Sequence, residues 1–217
     1  RGVGGPLHIS VPRDPDPLCQ EMMAAGTGIG LTQVQDINES DAERIGYATS
    51  TIRNGRRVSA ATAFLKPVLR RPNLTVLTNT EVRRILLEHG RAVGLQIAGK
   101  RGTGEVRATR EVIVSLGSLN SPRLLQLSGI GPGEVLRAAG VRVQLERENV
   151  GRRMREHRCA TLRYRLNADL GYNRQLSSSA AQAVTGARYL LSRKGPLAAP
   201  SFDAVLVHQV LHYAEEA

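Results

Sequence analysis

Tryptophan is absent from this 217-residue sequence, and phenylalanine and tyrosine bring the aromatic share to only 3%. That scarcity excludes the aromatic platform on which single-stranded nucleic acid stacks. Lysine is scarce as well: Lys66, Lys100 and Lys194 are the only three among thirty basic residues. The arginines that make up the rest are spread along the whole length. The net charge of +11 therefore marks no nucleic-acid surface, and nucleic acid is not expected as a partner. Even the densest group, Arg152, Arg153, Arg155, Arg158, Arg163 and Arg165, has Tyr164 as its one aromatic neighbour. Two cysteines, Cys19 and Cys159, stand without Cys-x-x-Cys or Cys/His spacing, so neither a zinc site nor a disulfide framework is expected. No metal is expected, and the compartment expected is the reducing cytoplasm. No apolar run is long enough to span a bilayer, and Arg1-Gly2-Val3-Gly4-Gly5 is not a signal peptide. The first residue is not Met, which leads us to expect a chain cut from something longer.

What is present is ordinary for a globular protein, with 41% hydrophobic and 23% charged residues. The length allows one sizeable core or two modest ones. Gly4-Gly5-Pro6 to Val11 reads as a turn and a short strand, and Leu18 to Ala25 as a helix ended by Gly26. Gly26-Thr27-Gly28-Ile29-Gly30 lacks Gly-x-Gly-x-x-Gly spacing and follows a helix, so it reads as a turn rather than a phosphate loop. Asn54-Gly55 signals a turn between two polar strands or a strand and a helix, Ser59 a helix cap, and Pro67 the end or kink of that helix. Leu74 to Thr78 reads as a strand. Val82 to Glu88, Ala92 to Ile97 and Glu105 to Thr109 follow as a meander, with turns at His89-Gly90 and Gly102 to Gly104. His89 falls in a turn and is expected to be solvated. Val141 to Leu145 alternates as a strand. Arg158 to Arg165 does so weakly, Ser177 to Leu191 has partial helical periodicity, and Phe202 to Leu211 reads as a strand.

The chain is organised around the fifteen residues from Gly117 to Gly131. Val112-Ile113-Val114-Ser115-Leu116 reads as a buried strand ending at Gly117. Ser121 is then placed to N-cap a helix with Pro122 at its first position, and Gly129 to end it. A strand, a glycine turn and a helix N-terminus can hold a phosphate or another polar part of a cofactor. They can equally be a tight connection in an α/β protein.

The order Gly-Ser-x-x-Ser-Pro-x-Leu-Leu-x-x-Ser-Gly-Ile-Gly in this stretch resembles a signature of the glucose–methanol–choline family of flavin-dependent oxidoreductases. Further segments follow the family's order: Asp36-Ile37-Asn38, Gly55-Arg56-Arg57-Val58-Ser59, Phe64-Leu65-Lys66-Pro67 and Arg71-Pro72-Asn73-Leu74-Thr75-Val76-Leu77-Thr78. Asn149 to His157 is similar to the family's Val-Gly-x-Asn-Leu-x-Asp-His through Val150, Gly151 and His157. It departs at Arg153, Met154 and Glu156, with Arg153 placing a cation where the family has a neutral amide. Adjacent Glu156 and His157 point opposite ways on a strand, so they are read as structural rather than as a base and its orienting carboxylate.

The resemblance implies a mixed α+β fold: part of a flavin-binding α/β domain with a β-meander, interleaved with part of an antiparallel-sheet substrate domain. It implies substrate-domain pieces at 1–72 and 151–217 and a piece of the FAD-binding domain at 73–150. The implied cofactor is FAD, with Val82, Ser115 and Gly117 at its adenosine side and Val82 acting through its backbone. The implied activity is oxidation of a small-molecule alcohol, choline-dehydrogenase-like in general pattern, by hydride transfer to the flavin. The family's first βαβ unit with Gly-x-Gly-x-x-Gly after a strand, and its C-terminal catalytic His segment, have no counterpart in this sequence. None of His8, His89, His157, His208 and His212 stands in the catalytic context, so no catalytic residue is assigned. The alternative is a non-catalytic scaffold or interaction module without cofactor. Oligomeric state is not legible.

Overall fold

Short alternating runs separated by Gly and Pro cannot build one large sheet, and the chain forms several small ones. A computed structural model describes residues 3–12, 16–38, 42–100, 102–156, 159, 161–168, 170–200 and 204–207. In chain order the elements begin with α1 (Pro17–Gly28), β1 (Thr32–Val34), β2 (Arg44–Tyr47), β3 (Ile52–Arg53) and β4 (Arg56–Arg57). A π-helical turn (Ala61–Leu65) and a 3-10 turn (Lys66–Val68) precede β5 (Thr80–Glu88), β6 (Arg91–Gly99) and β7 (Gly102–Arg107). Then come α2 (Gly117–Leu127), β8 (Ile130–Gly131), α3 (Gly133–Ala138) and β9 (Leu145–Glu146). The last elements are α4 (Asn173–Leu176), α5 (Ser179–Ser192), a 3-10 turn (Pro196–Ala198) and β10 (Ala204–Val207). Two compact units result, one of Arg1–Leu74 with Arg163–Ala217 and the other of Thr75–Leu162.

In the first unit, β2 is central, parallel to β1 and antiparallel to β10, with Gly46 opposite both Val34 and Val205. Helix α1 starts where Asp16 accepts a hydrogen bond from the Leu18 amide at 2.9 Å and Pro17 needs no partner for its nitrogen. Met23, Leu31 and Ile45 form the core, with Tyr47 and Ala204 packed against it. Gly26 does not end this helix, as the sequence led us to expect. It is buried within α1, and a Cβ there would lie 2.6 Å from Ile45 Cδ1, so glycine serves close helix–strand packing. Arg44 is buried because its guanidinium donates to the Ile37 and Ala42 carbonyls, which satisfies a charge that would otherwise be costly. The expected strand at Gly4 to Val11 reduces to a single antiparallel bridge between Ser10 and Ser50.

Asn54 (φ 51°) and Gly55 (φ 68°) make the tight turn joining β3 and β4, as the dipeptide implies. Ser59 Oγ accepts from the Thr62 amide at 3.2 Å, and the helix it starts passes into a 3-10 turn at Pro67. Ser178 N-caps α5 through the Ala181 amide, and the helix stops at Arg193 in the left-handed region. Of the expected strand at Phe202 to Leu211, Ala204–Val207 is observed and the remainder lies outside the described residues.

The second unit is built on the meander β5-β6-β7, antiparallel throughout. His89 (φ 49°) and Gly90 (φ 76°) form its first turn, and His89 is exposed as expected. The third strand begins at Gly102, where the sequence reading has a turn. Arg107 on β7 donates to Glu88 on β5; that hydrogen bond and charge raise the guanidinium pKa further above its ordinary value. Helix α2 packs on β5, with Leu124 buried. Leu136 on α3 and Pro132 are almost wholly buried, and β8 pairs parallel with β9. Only Leu145 of the expected Val141 to Leu145 strand joins a ladder, because β8 offers just two residues to pair with. The described residues between 159 and 165 form no strand.

Candidate functional site

Two extended segments of the second unit differ from expectation together. Thr75–Thr78 and Val112–Ser115 have strand-like sequences but pair with no strand among the described residues. Leu77 is 57% and Ile113 79% exposed, while Val112 and Val114 are half-buried. A strand is made by its partner's N–H and C=O groups, and sequence propensity does not provide a partner.

The turn after Val112–Ser115 also differs from the sequence reading. Gly117 takes φ 84° and is itself the first residue of α2, so the helix begins four residues before Ser121. Pro122 lies inside the helix instead of at its start, and Ser121 is no N-cap of the expected kind. The Ser121 hydroxyl reaches back to accept the Leu116 amide at 3.0 Å, which fastens the turn from within the helix. The physical cause is Gly117, whose left-handed conformation reverses the chain early enough for Ser118 to Asn120 to join the helix. Gly117 through Asn120 are exposed, and nothing lies within 4 Å of a Cβ built on Gly117. The first-turn amides of an eleven-residue helix thus face an open approach, with the positive end of its dipole behind them.

The far end of α2 is locked to the meander. Ser128 Oγ is buried, donates to the Leu124 carbonyl at 2.6 Å and accepts the Ile85 amide of β5 at 2.8 Å. Gln126 Nε2 donates to the Val150 carbonyl at 3.1 Å, and a Cβ on Gly151 (φ 80°) would press on that amide. The Gly133 amide donates to Glu146 Oε1 at 3.2 Å. These contacts fasten Ser128 of the 117–131 stretch and Gly151 of the 149–157 stretch to their neighbours.

Ser115 is exposed in the unpaired segment and Gly117 lies two residues on, so one turn holds both. Val82 is half-buried on edge strand β5, opposite Ile97 and beside a bulge between Val82 and Arg84. An open depression of about 470 Å³ is lined by Asn79, Thr80, Glu81, Arg83, Ala98 and Gly99, but not by Val82 itself. No hydrogen bond among the described residues joins Val82 to Ser115 or Gly117. Arg153 is exposed with φ 56°, and His157 lies outside the described residues. Among the described residues no three His, Cys, Asp or Glu side chains converge as metal ligands would.

The first unit contains a cavity of about 610 Å³ that the sequence reading missed. Its cationic lining comes from Arg188, Arg193 and Lys194 around the end of α5, opposite Ser10 and Ser50. The available signal was local: two consecutive cations before Gly195-Pro196, at the end of a helix. Nothing local indicates that residues near position 10 and near 50 close the other side.

A glycine turn leading into an exposed helix N-terminus offers backbone donors to the polar groups of a cofactor. Residues 1–159 match the GMC oxidoreductase family model. The oxygen-dependent choline dehydrogenase of Rhizobium johnstonii is 39% identical over 214 residues, which cover 94% of this chain and 37% of that protein. The chain thus spans little more than a third of the length of this curated relative. Among solved structures, pyridoxine 4-oxidase from Mesorbium loti is 42% identical with a TM-score of 0.64, over 67% of this chain and 29% of that one. An FAD-dependent oxidoreductase from Chaetomium thermophilum shares the fold at a TM-score of 0.77 and 23% identity, covering 94% of this chain and 36% of that one. The chain belongs to the GMC oxidoreductase family, and FAD is the cofactor that goes with it.

Proposed function

We propose that this chain forms part of an FAD-dependent oxidoreductase that oxidises the CH–OH group of a small-molecule alcohol. The observation that carries the reading is the Gly117 turn with its exposed α2 amides, set within the family's residue pattern. In the proposal the second unit serves the flavin and the first unit serves the substrate. Ser115 and the amides after Gly117 donate to polar groups of the adenosine side, and Val82 contributes backbone from edge strand β5. The approach at Gly117 is unobstructed and the donors are backbone N–H groups, so the residues present fit that part of FAD. When bound, the flavin supplies the hydride acceptor. No residue of this chain is assigned to the proton of the alcohol.

Among the described residues no helix is long and apolar enough to cross a membrane. We propose a cytoplasmic enzyme with no nucleic-acid partner. The test is anaerobic addition of a panel of primary alcohols to the protein purified from its complete coding sequence. Bleaching of the flavin band by at least one alcohol is expected. A flavin band that none of them bleaches, or a protein without flavin, would overturn the reading and favour a scaffold role.

A further inference from the structure

The first unit's cavity has a one-sided charge. Arg188, Arg193 and Lys194 line it, and no Asp or Glu does so among the described residues. None of the three belongs to an ion pair among those residues, where Arg83, Arg107 and Arg152 find carboxylates nearby. On the other wall the Ser50 hydroxyl can donate, while the Ser10 hydroxyl is committed to the Ile52 carbonyl.

The cavity is built from fixed parts. Arg193 is held left-handed at φ 56°, and its guanidinium lies 4.9 Å from the centre of the Tyr189 ring. The Tyr189 hydroxyl donates to the Gly55 carbonyl at 2.9 Å. A Cβ on Gly55 would collide with the Arg193 backbone, so only glycine lets the Asn54-Gly55 turn seat there. On the other wall, Ser10 and Ser50 exchange backbone hydrogen bonds of 2.9 Å, and Ser10 Oγ donates to the Ile52 carbonyl at 2.8 Å.

We propose that this cavity binds the oxyanion group, carboxylate or phosphate, of a small molecule. Cations with no counter-ion among the described residues, beside the Ser50 hydroxyl, provide the charge-assisted hydrogen bonds that an oxyanion accepts. The three cations repel a quaternary ammonium, for which Tyr172 is the one Phe, Tyr or Trp among the described lining residues. The inference goes beyond the flavin reading and does not rest on it, because every lining residue lies in the first unit.

Isothermal titration of the full chain at low ionic strength tests it, with inorganic phosphate, succinate and choline as separate probes. Saturable binding of phosphate or succinate is expected, and no binding of choline; which of the two binds identifies the type of oxyanion. Arg188→Gln and Lys194→Gln, both at exposed positions, should each weaken binding about tenfold. Arg84→Gln, an exposed cation of the second unit, should change it less than about twofold. Circular dichroism checks that each variant is folded. The proposal is overturned if neither anion saturates, if choline binds as well, or if Arg84→Gln costs as much as the other two. The last result would assign the binding to the chain's diffuse +11 charge.

Discussion

Ser128 and Gly117 stand at opposite ends of α2 and do different work. Ser128 is buried, and its hydroxyl accepts the Ile85 amide while donating to the Leu124 carbonyl. Ser128→Ala would leave that amide buried without an acceptor, a loss of about 1–3 kcal/mol. Urea unfolding should show the midpoint fall at an unchanged slope. Gly117 meets no neighbour, so a side chain there would strain only the backbone, by about 1–2 kcal/mol for an ordinary L residue at positive φ. Gly117→Val should therefore lower FAD affinity in the complete protein about tenfold or more. Gly117→Asn, which tolerates the left-handed region, should lower it much less, and flavin absorbance per chain measures both. At this scale the sequence was legible where a residue's own backbone preference decides, as at Asn54-Gly55 and His89-Gly90. The role of Ser121 is not legible locally, because its hydroxyl answers to Leu116 and that geometry depends on Gly117 reversing the chain first.

Elements were legible where their partners are close in sequence. Strands β5, β6 and β7 pair through short turns, and the meander follows from local signals. Helix α1 was legible too, but its end was not, because Gly26 answers to Ile45 on β2 rather than to the helix itself. That contact decides the sign of a substitution. Gly26→Ala gains about 1 kcal/mol of helix propensity. Placing a methyl 2.6 Å from Ile45 Cδ1 in the core costs about 1–3 kcal/mol, so net destabilisation is expected. Adding Ile45→Val removes the opposing methyl, and a double-mutant cycle should show the two substitutions partly compensating. Simple additivity would count against that packing account. Asp16→Ala, which removes the α1 cap, should cost about 1 kcal/mol, read from the same unfolding curves.

For the molecule as a whole, the segments the sequence marks most strongly as β are among the least covered. Val76, Leu77, Ile113 and Leu116 are each more than two-fifths exposed, on backbone without ladder partners among the described residues. Pairing is non-local, so neither propensity nor alternation could indicate which strand completes these segments. Unpaired apolar strands invite association, and the 217-residue chain on its own should self-associate in light scattering as its concentration rises. A monodisperse monomer throughout would contradict that. The candidate site was legible as a family pattern and a glycine turn, while the oxyanion cavity was not, since its walls come from residues well over a hundred positions apart. Flavin content bears most directly on the central assignment. Purified from its complete coding sequence, the protein is expected to carry stoichiometric FAD, with its characteristic visible bands. A protein that is colourless as purified, and that takes up no FAD when the cofactor is supplied, would contradict the assignment.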